Sequence, residues 1–386
     1  MKRFKGFIKP ILHSIAAAFV LLFICYLLNN IPYPFGTDTG LYTFKESIVR
    51  NSKKRLPNYD NVVFVNTGYD VQLVETDNGM EKITDRNSLL RFLRDVEYSD
   101  YKHIFIDIRF EKGLVTATDT VLVAQINRMG DRITVAKHLN YDTGKDYELI
   151  DPSLLDKAAY CDYTYSLYNT SFSCYQFNQK KGPSAALDMY NKINKRNIKR
   201  YLGFLYMDGW ALCQNSLFLS VSDNFSIQES QNHSARYLNL GTDIYDWYTI
   251  DLFKEYCNNK IICIGDFAFD LHDTYYGKQP GTYLHWLAYD SLCKKRHTVS
   301  FLAFFLLLIL YSLLFYCKTI RFDLSHRVKN HFLSFAVSLV SSGLILSVTC
   351  FIIYWINGMV ISIFLPTIVF AIYDLVIKYL DDDKRK

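Results

Sequence analysis

The stretch KIICIGDFAFDLHDTYYGKQPGTYLHWLAYDSLCKKRH, residues 260–297, decides the fold expected for this chain. It begins with a short apolar run, 260–264, which ends at a glycine and predicts a buried β-strand. A polar loop with three aspartates and one histidine follows, and 282–292 then predicts a helix. Beyond that helix the chain becomes strongly apolar. The stretch therefore joins a water-exposed domain to a membrane.

Four apolar segments lie near the two ends of the 386-residue chain. Each is close to the about 20 residues that a helix needs to cross the hydrocarbon core. The predicted transmembrane helices are 11–28, 299–317, 332–355 and 359–377. The first is predicted to be an uncleaved signal anchor, because no small-residue cleavage site follows it.

Basic residues predict the orientation of these helices. Four Lys or Arg residues lie in 1–10, four in 318–331 and four from Lys378 to the end, so the N-terminus, this loop and the tail 378–386 are expected in the cytoplasm. The region 29–298 is then expected outside. This assignment is opposed by three basic residues near the end of the region, Lys294, Lys295 and Arg296. Basic residues, however, only weakly govern the orientation of large translocated domains. We expect a multi-pass protein of the inner (plasma) membrane of a bacterial cell.

The outer region alternates strand and helix patterns. The runs 61–65, 103–110 and 132–137 predict strands, a helix over 86–97 is capped by Asp85, and another begins at Thr118 or Asp119. The middle predicts a helix at 184–193, strands at 200–207 and 217–221, and a short helix within 243–256. The βαβαβ order predicts an α/β domain, a parallel or mixed sheet with helices on both faces, beside the four transmembrane helices.

Six of the nine cysteines fall in the outer region. An even number permits disulfides there, but the sequence leaves the pairing open. Cys263 lies inside the apolar run at 260–264 and is predicted to be a buried thiol. No Cys/His spacing predicts a zinc site, and no cofactor is expected.

The outer region resembles the second type of CHASE domain, an extracellular sensory module. The segments that carry the resemblance are NVVFVNTG (61–68), YKHIFIDIRFE (101–111) with Asp107 and Phe110, NKIICIGDF (259–267) and HDTYYGKQPGTYLHWLAYDSL (272–292) with Pro280 and Gly281. One membrane helix before the domain and three after it also match that family. Two departures are the short Thr84-Asp85-Arg86 in place of a tryptophan-proline-arginine stretch and the lack of an aspartate-glycine-arginine turn near 172–177. The resemblance implies a sensor. A further departure is that the family usually carries a cyclase, kinase or phosphatase after its last membrane helix, whereas only nine residues follow 377 here, so we expect the signal to pass to a separate protein.

Ligands of parallel α/β sheets bind beyond the carboxyl ends of the strands. The candidate ligand-binding residues are Asn66, Thr67, Asp107, Arg109, Gly265, Asp266, His272 and Asp273, with Glu111 beside them. Asp107 lies in an apolar strand and needs a partner, for which Arg109, two residues away, is the candidate. A weak candidate metal site consists of Asp266, Asp270, His272 and Asp273, for which solvated turn-forming aspartates are the alternative.

The leading functional hypothesis is a membrane sensor that detects a ligand or partner outside and signals to a separate protein. The alternative is a scaffold or assembly subunit of a cell-envelope complex. No catalytic motif predicts an enzyme, and an outward-facing membrane enzyme would need a buried acid-base pair in a cleft. Expected partners are the lipid bilayer, a separate signalling or envelope protein and a second copy of the chain, but no nucleic acid.

Overall fold

The computed structural model describes most of the chain. The described residues are 2–29, 59–77, 79–140, 143–163, 174–177, 182–196, 198–201, 204–207, 211–218, 236–241, 250–274, 277–295, 298–322, 324–357 and 361–383. The strands are β1 Val62–Asn66, β2 Val71–Thr76, β3 Gly79–Thr84, β4 His103–Asp107, β5 Ile133–Lys137, β6 Ala158–Tyr160, β7 Cys174–Gln176, β8 Ile198–Tyr201, β9 Phe204–Met207, β10 Ala211–Cys213, β11 Ser216–Phe218, β12 Arg236–Asn239, β13 Ile261–Gly265, β14 Leu271–Thr274 and β15 Gly277–Pro280. The α-helices are α1 Lys2–Asn29, α2 Arg86–Glu97, α3 Asp119–Arg128, α4 Ala185–Asn194, α5 Ile250–Cys257, α6 Gly281–Cys293, α7 Phe301–Thr319, α8 His331–Asn357 and α9 Phe364–Asp383.

The α/β part is built on a six-stranded sheet in the order β12-β1-β13-β4-β5-β6. All neighbouring strands in it run parallel, which confirms the parallel α/β architecture. Strand β13, from the stretch at 260–297, lies between β1 and β4, with Ile264 opposite both Val65 and Ile106. All five residues of β1 and of β13 are buried, as expected of strands covered on both faces.

Helices cover the two faces of this sheet in two groups. Because side chains alternate along a strand, Val65 and Phe64 point to opposite faces. Val65 joins a hydrophobic core with residues of α2 and α3, among them Leu93 and Leu122. Phe64 instead contacts α6, where the ring of Trp286 lies 5.3 Å away. The faces are therefore closed by different helices, and α6 is the one that meets the loops of the site.

Local capping explains where several helices begin. Asp85 accepts hydrogen bonds from the backbone N–H groups of Asn87 and Ser88, as expected for the cap of α2. Thr118 precedes α3 without a side-chain capping bond, and Asp119, its first residue, accepts from the Thr116 N–H at 2.5 Å. These bonds fix the segments that lead into α2 and α3.

The strand predicted over 103–110 ends earlier, at Asp107. Ile108 and Phe110 belong to the loop that follows, yet both are buried in the hydrophobic core. Apolar loop residues that enter a core have the same composition as strand residues. The two side chains therefore made the apolar run look longer than the strand is. The polar loop after β13 also differs from expectation, since its residues form the antiparallel hairpin β14–β15. A second hairpin, β2–β3, lies between β1 and α2.

Among the described residues, three helical segments are long and apolar enough to cross a membrane, judged by length and composition: Ile8–Leu27, Phe301–Arg327 and His331–Ile356. This is the pattern of a multi-pass membrane protein. The predicted fourth span, 359–377, starts outside the described residues. The helix found there, α9, carries Asp374, Lys378 and Asp381, so its composition does not by itself indicate a span.

Contacts divide the chain into two compact units. One consists of Met1–Asn51, Lys199–Ser216 and Arg296–Lys386, and the other of Ser52–Ile198 and Leu217–Lys295. Strands β9 and β10, sequence-predicted as part of the outer domain, thus group with the apolar helices. Within that unit the Tyr26 hydroxyl donates to the Cys213 carbonyl oxygen at 2.8 Å.

In the described part of the chain, eight of the nine cysteines form no disulfide bond: Cys25, Cys161, Cys213, Cys257, Cys263, Cys293, Cys317 and Cys350. Cys263 is fully buried in β13, as the apolar run around it predicted. Its neighbours on the strand are isoleucines, so it serves as a core residue.

Buried His103 on β4 predicts acid sensitivity. Its Nε2 lies 2.8 Å from the Thr134 Oγ1, and the Thr134 hydroxyl donates to Asp188, so the His103 Nε2–H is the donor to Thr134. Burial, with a smaller effect of the Lys192 charge, lowers the pKa of His103 to about 3. Below its ordinary pKa near 6.5 the unfolded chain binds a proton that the folded chain does not. We expect the free energy of unfolding to fall by about 2 kcal/mol between pH 7 and pH 5 from this residue alone.

Chemical unfolding of the full chain in mild detergent across this pH range measures the effect. His103→Gln keeps a donor toward Thr134 but does not titrate, so its stability curve should be flatter than that of the unaltered chain below pH 6.5. The difference between the two curves isolates His103 from Asp188 and from other carboxyl groups. If the two curves of stability against pH ran parallel, His103 would not be the buried, neutral imidazole inferred here.

Candidate functional site

A cleft of about 1000 Å³ lies at the carboxyl edge of the parallel sheet. Its wall is made of residues at or just after the ends of five strands. They are Thr67 after β1, Asp107 at the end of β4, His138 after β5, Cys161, Asp162 and Tyr163 after β6, and Asp266 after β13. Parallel strands bring their carboxyl ends to one edge, which is why residues so far apart in sequence meet here.

Asp107 lies at the centre of the cleft floor. Its Oδ2 accepts a hydrogen bond from the Thr282 hydroxyl at 2.9 Å, and Thr282 stands in the first turn of α6. Burial raises the pKa of Asp107 to about 6, and the negative charge of Asp270 acts in the same direction. The carboxyl group is thus close to half protonated near pH 6 and can exchange a proton with a ligand.

His285 extends from α6 beneath the same floor and is fully buried. The Tyr175 hydroxyl lies 2.6 Å from its Nδ1, and the ring of Tyr163 stacks on it with centroids 4.9 Å apart. Burial lowers the pKa of His285 well below its usual value; His272 and His138 add to this effect, and the Cys161 carbonyl opposes it. The imidazole is therefore neutral and available as a nitrogen donor.

A second histidine reaches the cleft from the hairpin β14–β15. His272 Nε2 lies 3.2 Å from the Asp270 Oδ1, and the Tyr163 ring centroid is 4.3 Å from that of His272. Tyr163 is held in place because its hydroxyl donates to the Gly281 carbonyl oxygen at 2.7 Å. Its ring therefore contacts both His272 and His285 and links the hairpin to α6.

His138 supplies a third imidazole, from the end of β5. Its Nδ1 is 3.8 Å from Asp162 Oδ1, and Asp162 also accepts the Leu139 N–H. Burial is the largest single influence and lowers the pKa of His138, but the contact with Asp162 and the charges of Asp107, Asp162 and Glu111 outweigh it, so the net pKa is raised. His138 is therefore more readily protonated than an unperturbed imidazole.

Arg109 lies on the outer wall, half exposed. It donates to Glu111 at 2.8 Å and to Glu81 at 3.1 Å. The predicted pairing of Arg109 with Asp107 is wrong, because β4 has ended at Asp107 and the next residues turn away. Thr282 is the partner of Asp107 instead.

The candidate ligand-binding residues divide into two groups. Thr67, Asp107, Arg109, Asp266 and His272 line the cleft, as does Glu111. Asn66, Gly265 and Asp273 do not. Asn66 is fully buried and accepts from the backbone N–H groups of Gly68 and Phe267, so its amide fixes the loops rather than facing a ligand.

Gly265 is required by packing. A Cβ at this position would lie 1.9 Å from the Thr282 Oγ1 and 3.2 Å from the Asp107 Cβ. Asp273 points away from the cleft because it alternates with His272 along β14 and is exposed.

The four residues of the candidate metal site do not converge. Asp266 Oδ1 accepts the N–H groups of Ala268 and Phe269 in a local turn, as the alternative interpretation predicted. Asp270 and His272 form a pair, and Asp273 lies on the other side of its strand. Among the described residues, a different trio brings metal-ligand atoms together: Asp107, Cys161 and His285, whose donor atoms lie within 4.8 Å of one another.

Sequence reasoning missed Cys161, Asp162, Tyr163 and His138. His138 directly follows the strand predicted at 132–137. The rule that ligands bind beyond the carboxyl ends of parallel strands could therefore have found it. Strand β6 is only three residues long and was not predicted, and the residues after it had no visible link to the site. His285 lies in the helix predicted at 282–292, but only the tertiary structure shows that it is buried beside Asp107.

Comparison of the chain with family models, with curated proteins and with solved structures found no match in any of the three. The resemblance to the CHASE type 2 domain therefore stays a prediction.

Proposed function

We propose that this chain is a receptor-like membrane protein whose α/β region binds a small polar ligand in the cleft and signals to a separate protein. The cleft itself is the observation that supports a sensor over a scaffold. Binding sites for small molecules are concave and carry a few convergent polar groups, whereas assembly surfaces are broad and apolar. The cleft combines Asp107, His138 and His272 with apolar walls such as Ile83.

The location of the cleft fits this role. It lies at the carboxyl edge of a parallel sheet, where ligands of such folds bind. Hairpins β2–β3 and β14–β15 contribute Val71 and His272 to its walls. Hairpins attached by few connections can move more easily than the central sheet, so a ligand with unequal affinity for two hairpin positions would shift their populations.

The proposed topology keeps the α/β region outside the inner membrane and both termini in the cytoplasm. This needs an even number of spans and so includes 359–377 as the fourth. The three basic clusters, in 1–10, 318–331 and 378–386, support it, because each then lies on the cytoplasmic side. The proposed sensory module is CHASE-like, on the strength of the segments quoted above.

A cleft-blocking substitution tests the sensor. Val71 lines the cleft from β2 and is 38 % exposed, so Val71→Trp is expected to occupy the opening without entering the core. Leu73 lies two residues along the same strand, is 66 % exposed and does not line the cleft. Leu73→Trp is therefore a matched control for the added ring.

The readout is affinity purification in gentle detergent, with a tag on the C-terminal tail and mass spectrometry of the proteins recovered. We expect a kinase, cyclase or regulator in stoichiometric amount, with its recovery or activity changed at least about threefold by Val71→Trp and not by Leu73→Trp. Recovery of envelope or secretion components alone, equal in all three samples, would overturn the sensor and support the scaffold.

One observation favours a second candidate, an outward-facing enzyme. Asp107 and His138 both have raised pKa values and face the same cleft, which is the arrangement of a general acid and base. An enzyme of this kind would deplete a compound from a mixture of cell-wall fragments or small metabolites incubated with the purified chain. Asp107→Asn should abolish that depletion. Binding without depletion favours the sensor.

A further inference from the structure

Three metal-ligand side chains converge at the cleft floor from three separate elements. Asp107 ends β4, Cys161 follows β6 and His285 lies on α6. A carboxylate oxygen, a sulfur and an imidazole nitrogen from these residues all lie within 4.8 Å of one another. All three residues also line the cleft, so an ion held between them would be reachable from it.

The second observation is a buried nitrogen that makes no hydrogen bond. His285 is 0 % exposed, and its Nδ1 is engaged by the Tyr175 hydroxyl at 2.6 Å. Its Nε2 makes no hydrogen bond of normal geometry among the described residues, although the nearby Cys161 carbonyl acts to raise the pKa of His285. A buried polar atom left in this way costs about 1–3 kcal/mol, so it calls for a partner that the protein itself does not provide.

The donor set identifies the class of partner. Calcium and magnesium take oxygen ligands, whereas a cysteine sulfur with an imidazole and a carboxylate suits zinc. Zinc binds these ligands at about 2.0–2.3 Å in a tetrahedron, which places the donor atoms about 3.5 Å apart. The trio must therefore contract by roughly an ångström, which rotation of these side chains can provide.

We propose that Asp107, Cys161 and His285 bind a zinc ion at the floor of the cleft. Cys161 would bind as the thiolate and release its proton to solvent, His285 would bind through Nε2, and Asp107 would bind through a carboxylate oxygen. Three protein ligands leave a fourth position for water or for a ligand that enters the cleft.

Outer hydrogen-bond partners orient two of the three residues, as is usual for metal ligands. Metal-binding histidines fix their second nitrogen with an outer partner, and Tyr175 plays that part for His285. The Thr282 hydroxyl orients Asp107 in the same way. Burial raises the pKa of the Cys161 thiol far above its usual range, with the Asp107 charge adding to it. A bound divalent cation reverses that effect, since a coordinated thiol loses its proton.

This inference goes beyond the proposed sensor, because a zinc ion could be held whether or not the cleft transmits a signal. The two are tested separately. The Val71→Trp experiment reports on signalling, and metal spectroscopy reports on the trio.

The test uses the full-length chain in mild detergent, stripped with a chelator and then titrated with Zn²⁺ or with Co²⁺. We expect one tightly bound metal ion per chain by elemental analysis. Co²⁺ should give the intense charge-transfer absorption of a cobalt–thiolate bond, and zinc should displace it. Zinc should also protect Cys161 from alkylation, as read by peptide mass spectrometry.

Variants locate the ion. Cys161→Ser should remove the charge-transfer band, and both Cys161→Ser and His285→Gln should weaken zinc binding more than about 100-fold, beyond the loss typical of outer partners. Cys257→Ser is the matched control, a fully buried free thiol in α5 on the other face of the sheet. It should leave the band unchanged.

Absence of the charge-transfer band in the unaltered, folded chain would overturn the proposal without recourse to any variant. A band that survives Cys161→Ser, or one that Cys257→Ser removes, would overturn it as well. Tyr175→Phe offers a milder check, with an expected weakening of about 10- to 100-fold.

Discussion

Replacing Asp119 by alanine is expected to lower the free energy of unfolding by roughly 3–5 kcal/mol. Asp119 is the ion-pair partner of Arg86, whose side chain is 0 % exposed, and the Arg86 Nε lies 3.4 Å from the Asp119 Oδ1. Burial lowers the pKa of Arg86 to about 10, and the charge of Asp119 offsets part of that effect. Removal of the carboxylate leaves a guanidinium charge in the interior with only the Arg109 carbonyl and the Phe110 ring as partners among the described residues.

Chemical unfolding in detergent, with equal slopes checked for the two chains, measures this loss. Glu81→Ala is the control, because Glu81 pairs with the half-exposed Arg109 at the surface. Its loss should cost no more than about 1 kcal/mol. The double replacement Arg86→Met with Asp119→Leu removes both charges and should be less harmful than Asp119→Ala alone. If Asp119→Ala lowered the free energy of unfolding by less than about 1 kcal/mol, the buried Arg86 charge would not depend on Asp119.

Gly265→Ala should destabilise the chain by roughly 3 kcal/mol, the upper end of the usual overpacking cost. The added methyl group would lie 1.9 Å from the Thr282 Oγ1 and 3.0 Å from its Cβ. Thr282 cannot move freely, because it belongs to the first turn of α6 and its hydroxyl donates to Asp107. The strain would be relieved by displacing α6, so Asp107 and His285 should also shift.

A thermal unfolding comparison with Gly113→Ala gives the baseline, since a Cβ at Gly113 meets no atom within 4 Å. Thr282→Ala removes the closest atom, so Gly265→Ala should cost less in that background. Additive effects of the two changes would show that Gly265 and Thr282 do not press on each other. A stable Gly265→Ala chain with an unchanged cleft would contradict the close approach of β13 to α6.

Four of the six strands of the sheet could be predicted because their signal is local. The run at 260–264 and the run at 61–65 are continuous, apolar and bounded by polar or turn-forming residues, which is what a strand covered on both faces requires. The helix over 86–97 has a capping aspartate and a regular apolar face. The predicted end of β4 was too late because the loop residues Ile108 and Phe110 are also buried.

Several of the predicted site residues follow a recognised strand. Thr67, Asp107 and Asp266 could be named because each lies at or just after the end of a clear apolar run, and parallel strands bring those ends together. Cys161 and Tyr163 follow a strand of three residues with no pattern of its own. The pairing of Asp107 was misjudged for a related reason, since it depends on where β4 ends.

By itself, the sequence determined the α/β region, the apolar helices at the two ends and the edge of the sheet that carries the cleft. These follow from hydrophobic periodicity and segment length, which act over neighbouring residues. Only the tertiary structure decided that β13 enters between β1 and β4, and that α6 packs closely enough to demand Gly265. It alone placed His285 beside Asp107 and Cys161, because contacts between residues more than a hundred positions apart arise from packing and leave no local pattern.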